Sequence, residues 1–175
     1  PLRSGGPGSL VSWDSLGRQG RAFVARGPSV AELSAFNGDR PAVEPIRAYA
    51  GLNSADGIRA TAELAARELE RTGGLKRKVI AVATTTGTGW INEAEASALE
   101  YMFNGDSAIV SMQYSFLPSW LSFLVDKENA RQAGQALFEA VDERVRALPE
   151  AQRPKIVVFG ESLGSFGGEA PFLSP

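Results

Sequence analysis

The 175-residue sequence contains no cysteine and no histidine. Without cysteine there is no disulfide and no thiolate metal site, and the redox compartment stays open. Without histidine the commonest general base and the commonest metal ligand are both missing. Net charge is equally scarce, since 18 basic and 20 acidic residues leave a formal charge of -2. That balance creates no field for nucleic acid or for an anionic membrane surface, so no nucleic-acid partner is expected. No apolar run reaches about 18 residues, and no basic-then-apolar leader is visible, so the segment itself reads as soluble. What remains is an ordinary globular composition, 43% hydrophobic and 22% charged, with enough chain for one core.

The feature that organises the rest is KIVVFGESLGS, Lys155 to Ser165. Ile156 to Phe159 read as a short buried strand that runs into Gly160-Glu161-Ser162-Leu163-Gly164, a G-x-S-x-G pattern. A serine between two glycines at a strand-to-helix turn can stand exposed at the top of a sheet, and the glycines relieve the crowding of that turn. Ser162 is therefore the candidate nucleophile. The plainer reading is a tight turn with a helix-capping serine.

Upstream, the chain reads as scaffold. Residues 1–9 are rich in glycine, proline and serine and are expected to form a flexible lead-in. Residues 10–26 are expected to be irregular, with one short helix near Asp14 to Gly20. Ser29 fits an N-cap for a short helix ending near Asn37-Gly38. Pro45 to Leu52 alternates as a strand, and Asn53 or Ser54 can cap a helix over 55–72 that buries Ile58, Ala62, Ala65 and Leu69. Lys76-Arg77-Lys78 reads as a solvated strand entrance. Val79 to Ala83 is a continuous apolar run, as in a strand buried on both faces. Asn92 can cap a helix to about Asn104 that buries Leu99, Met102 and Phe103. Ala108 to Gln113 is the next strand. A helix over 127–148 carries a stripe of Ala130, Ala133, Leu137, Val141 and Val145. Alternation of strand and helix implies an α/β fold, a three-layer sandwich with a mostly parallel sheet.

Two further stretches follow strands and so fall where open parallel sheets collect function, at the carboxyl ends. Thr84 to Gly89 could supply a backbone N–H which, with that of Leu163, would hold a developing oxyanion; Thr86 and Gly87 are the candidates. The same loop could be a plain turn of hydroxyls and glycines. A phosphate cradle fits less well, because neither phosphate-loop glycine spacing is present. Tyr114 to Val125 is the most apolar loop. It could be a core helix or plug, a membrane-facing patch, or the wall of an acyl pocket with Trp120 and Phe123 as its main surfaces. Asp56, Asp106 and Asp126 lie nearest strand ends; Asp106 reads as a cap on the entrance side, and none is assigned a catalytic role. No metal site is expected.

TTTGTGW, MQYSFLPSWLSFLVD and RPKIVVFGESLGSFGGEA, together with PIRAYAGLNSA, resemble a bacterial family of α/β-hydrolase domains attached to an amino-terminal membrane region. The resemblance covers most of Trp13 to Ala170 and implies a partial α/β-hydrolase fold in residues 10–175. It implies a membrane-tethered serine hydrolase acting on an ester or related acyl substrate, small molecule or lipid, without a cofactor. Ser162 matches the nucleophile, and the wider fold places the oxyanion donors at Leu163 and in the Thr86–Gly87 loop. In this fold the acid and the histidine follow the serine. Both are expected from a carboxyl-terminal portion outside this sequence, as are the membrane spans from elsewhere. Pro171 falls early in the helix expected after Ser162 and would cost it one backbone donor. The sheet edge is expected to be covered by that missing portion, a partner chain or a second copy. The alternative reading is a non-catalytic module on the same fold that binds lipid or a partner.

Overall fold

The computed structural model describes residues 2–85, 89–115 and 127–160. Strands β1 (Ile46–Ala50), β2 (Val79–Thr84), β3 (Ser107–Met112) and β4 (Lys155–Gly160) form one sheet in the order β1-β3-β2-β4. Every pairing is parallel, with Ala50 opposite Met112, Val82 opposite Val110 and Thr84 opposite Gly160. β2 and β3 are runs of small and β-branched residues, VIAVAT and SAIVSM, buried along their whole length. That is the composition a strand needs when both its faces are covered.

Helices supply the covers. On one face α3 (Ile58–Arg71) and α5 (Lys127–Arg146) pack Ala62, Ala65, Leu69, Leu137, Val141 and Val145 against Ile46, Ile80, Val82 and Val110. On the other, α1 (Gly17–Ala25) and α4 (Glu93–Met102) bring Phe23, Val24 and Ala96 to Tyr49, Ala81, Ala83 and Ile109. The result is the expected three-layer α/β arrangement. The buried stripe of α5 is the one its spacing predicts, Ala130 through Val145.

Local signals hold at several caps. Ser29 accepts the N–H of Glu32 at the start of α2 (Val30–Phe36), and Asn92 accepts those of Ala94 and Glu95 at the start of α4. Asp106 accepts the N–H of Lys78 beside the amino-terminal end of β2, opposite the end where parallel sheets carry function.

Four expectations are corrected. α3 begins at Ile58 behind Gly57, with no side-chain cap; Ser54 instead accepts the N–H of Gly51 and bonds Ser15, closing the turn after β1. α4 turns Ala96 and Glu100 inward and leaves Met102 73% exposed, because Glu100 pairs with a buried arginine that claims that face. Residues 1–9, expected as a flexible lead-in too poor in apolar surface to pack, are instead docked where described, with Leu2 to Ser4 along the outer edge of β1. Arg47 N–H donates to Leu2 O and Ser4 N–H donates to Arg47 O, a short parallel bridge. Its anchor is polar: the buried carboxylate of Glu68 accepts from Ser4 Oγ (2.8 Å), Ser9 Oγ (3.1 Å), Leu10 N–H and Arg71. The first helical element is also longer than expected, a 3-10 turn at Trp13–Leu16 continued by α1 to Ala25.

Candidate active site

In a parallel sheet all strands deliver their carboxyl ends to one rim, and connections leaving that rim form the crevice. Here the rim consists of Ala50-Gly51, Thr84-Thr85, Met112 to Ser115 and Gly160. β2 and β4 are neighbours although α4, β3 and α5 lie between them in sequence. Thr84 and Gly160 are register partners, and Thr84 Oγ1 donates to Phe159 O at 3.3 Å. The chain that continues to Thr86 and the chain that continues to Ser162 therefore leave from adjacent points, about 5 Å apart as neighbouring strands are.

The rim is stitched by side chains as well as by the ladder. Thr85, 1% exposed, donates its hydroxyl to Met112 O at 3.0 Å. Ser111 Oγ donates to Ala83 O, tying β3 to β2. Gln113 N–H donates to Ala50 O and its side-chain amide to Ser115 O. Tyr49, fully buried on β1, donates its hydroxyl to Gly89 O at 3.0 Å. Burial pushes the Tyr49 phenol far above its ordinary value, so it stays a neutral donor.

A second cluster lies behind the rim, on the α1 and α4 face. Arg47, fully buried on β1, donates to both oxygens of Glu100 (3.0 and 2.6 Å) and to both of Glu93 (2.9 Å each). It also donates to Phe23 O and lies 4.9 Å from the Phe23 ring centroid. Burial pulls the guanidinium pKa down, but hydrogen bonds and charge from Glu100 and Glu93 outweigh it and hold the group above its ordinary range. Glu93 is the first residue of α4, so this ion cluster fixes the helix that follows the Thr84–Gly89 connection.

All six expected site residues, Ser162, Leu163, Thr86, Gly87, Trp120 and Phe123, lie outside the described residues. The structure describes their flanks: Thr85 and Gly89, Ser115, and Gly160. The residues that sequence reading missed are Arg47, Tyr49 and Thr85. The alternation in PIRAYAGL does place Arg47 and Tyr49 on one face, but nothing in it distinguishes a buried arginine from an exposed one. Among the described residues, no group of three histidine, cysteine, aspartate or glutamate side chains could hold a metal ion. Among the described residues, a groove of about 610 Å³ lies on the solvent side of α3 and α5 between Asp56, Arg59, Glu63, Glu139 and Glu143. It is open and charged, and no residue of β2 or β4 lines it.

An all-parallel sheet with helices on both faces, with β2 and β4 ending side by side on one rim, is the arrangement of a partial α/β-hydrolase fold. Residues 46–175 match the model of a family described as alpha/beta-hydrolase family, and residues 1–28 match one described as alpha/beta-hydrolase family N-terminus. The chain belongs to this alpha/beta-hydrolase family. No curated protein and no solved structure matches it. Family membership supports hydrolase-type activity. No helix among the described residues is long and apolar enough to cross a membrane.

Proposed function

We propose that this chain supplies the nucleophile and the oxyanion site of a serine hydrolase acting on an ester or related acyl substrate. The observation that carries the reading is the register of Thr84 with Gly160. It starts the threonine-rich connection and the G-x-S-x-G connection from neighbouring points on one rim, as a nucleophile and its oxyanion donors require.

In this mechanism Ser162 Oγ attacks the carbonyl carbon and its proton passes to a histidine. The carbonyl oxygen becomes the oxyanion, held by the N–H groups of Leu163 and of Thr86 or Gly87. Collapse expels the leaving group, which takes the proton from the histidine, and water then hydrolyses the acyl-serine by the same route. Trp120 and Phe123 form the apolar wall of the acyl pocket. The sequence holds no histidine, so the base and its orienting acid come from polypeptide outside these residues. Membrane association of the whole protein belongs to the same reading, and a lipid ester would suit it. No cofactor is required.

A fluorophosphonate probe tests this on the whole protein. Labelling is expected in the wild type and absent in Ser162→Ala. An unlabelled wild type would overturn the hydrolase reading in favour of a module that binds lipid or a partner without chemistry.

A further inference from the structure

We infer that Tyr49 is a positioning residue for the oxyanion loop. Its hydroxyl fixes the point where the Thr84–Gly89 connection returns to the core, and so sets how well the loop's N–H donors meet the reacting oxygen. This rests on the proposed role of that loop.

Tyr49 is built as a rigid post. It stands on β1, with 0% exposure, and its ring packs on Phe23 with centroids 6.0 Å apart. A Cβ at Gly20 in α1 would sit 2.5 Å from the ring, so the helix approaches it without a side chain between. At the far end of the ring the hydroxyl donates to Gly89 O, and a Cβ at Gly89 would collide with that hydroxyl. Gly89 has φ +91°, a conformation that suits glycine and strains other residues. Both the backbone geometry and the absent side chain at 89 therefore serve the contact with one phenol.

The loop is pinned on either side. Thr85 is held by Met112 O, Gly89 by Tyr49, and Glu93 by Arg47. Of these, the Tyr49 bond acts nearest the loop's return and spends the only polar atom of a fully buried side chain. A buried phenol left without a partner is costly, and Gly89 O is the partner Tyr49 has. Oxyanion donors act through preorganisation, and small misplacement is costly: losing one donor lowers kcat by about 10²–10³-fold.

The test uses the whole protein with p-nitrophenyl butyrate, assayed well below the melting temperature of each variant. Tyr49→Phe is expected to lower kcat by about 10- to 100-fold, a part of the loss from removing a donor, with KM little changed. Phe23→Leu is the control. It removes packing against the ring but leaves the hydroxyl bond, and should lower the melting temperature while keeping kcat. Should Tyr49→Phe not stay folded, Gly89→Ala, which keeps the phenol and pushes the chain off it, reads the same kcat loss. Wild-type kcat in a folded Tyr49→Phe or Gly89→Ala variant, or equal kcat losses in Tyr49→Phe and Phe23→Leu, overturns the inference. A wild type that neither turns over ester nor reacts with fluorophosphonate would instead overturn the hydrolase reading itself.

Discussion

A fully buried arginine is tolerable only when its donors are used, and Arg47 uses its donors on two carboxylates and a carbonyl. The arrangement is asymmetric in energy. The intact cluster offsets its own desolvation, whereas a cluster missing one partner strands a charge in a low dielectric. Glu100→Ala should therefore destabilise the fold by about 3–5 kcal/mol, read as a shift in the urea midpoint. Arg47→Met combined with Glu100→Leu should cost less than either change alone, because Glu93 retains 33% exposure and can be solvated. Additive losses in that cycle would show that the two side chains are not coupled. Arg47→Lys should fail to restore stability, since an ammonium cannot chelate two carboxylates and reach Phe23 O together. None of this can be read from the sequence. Arg47, Glu93 and Glu100 are spaced like surface charges, and only the sheet order brings them together.

At the scale of elements, the legible parts are those whose pattern is set by burial alone. β2 declares itself by an unbroken apolar run, and α5 by five apolar positions at helical spacing. Where polar partners decide, the pattern misleads. Met102 looks like a core residue of α4, but the helix is turned by Glu100. Residues 1–9 look unable to pack, but Ser4 and Ser9 dock on Glu68 of α3. Burial raises the Glu68 pKa, but Arg71, the N–H of Leu10 and the hydroxyl of Ser4 together pull it below its ordinary value of 4.5. A depressed carboxylate contributes stability that is complete above its unfolded value and is lost as pH falls through the lower folded value. Glu68→Gln should thus be less stable than wild type at pH 7, by about 1–3 kcal/mol for weakened charged hydrogen bonds. The gap should close as wild type is titrated below the carboxylate range. A gap that stays constant with pH would show that the charge is not what holds the segment. Proteolysis within residues 2–12 should rise in the variant at pH 7, while cleavage within the sheet should not.

For the molecule as a whole, the strand order β1-β3-β2-β4 decides most, and order is not a local property. The sequence makes β2 and β4 separate strands, each followed by a glycine-bearing stretch; only pairing starts those stretches from neighbouring points. The same order leaves the two margins of the sheet unequal. β1 is bridged by residues 2–4, while β4 has no strand beyond it among the described residues, and Ile156 to Gly160 are half-buried. Lys155 N–H donates to Lys78 O, so by the two-residue repeat of a strand the N–H groups of Val157 and Phe159 face β2 and those of Ile156 and Val158 face outward. An open apolar edge of this kind invites another strand. If polypeptide beyond Pro175 adds that strand as well as the proposed histidine, hydrogen exchange will report it. The amides of Ile156 and Val158 should exchange quickly in a polypeptide of these 175 residues and slowly in the whole protein, with Val157 and Phe159 slow in both. Fast exchange at Ile156 and Val158 in the whole protein would mean that the edge stays open there, and that the base must reach Ser162 from polypeptide not paired to β4.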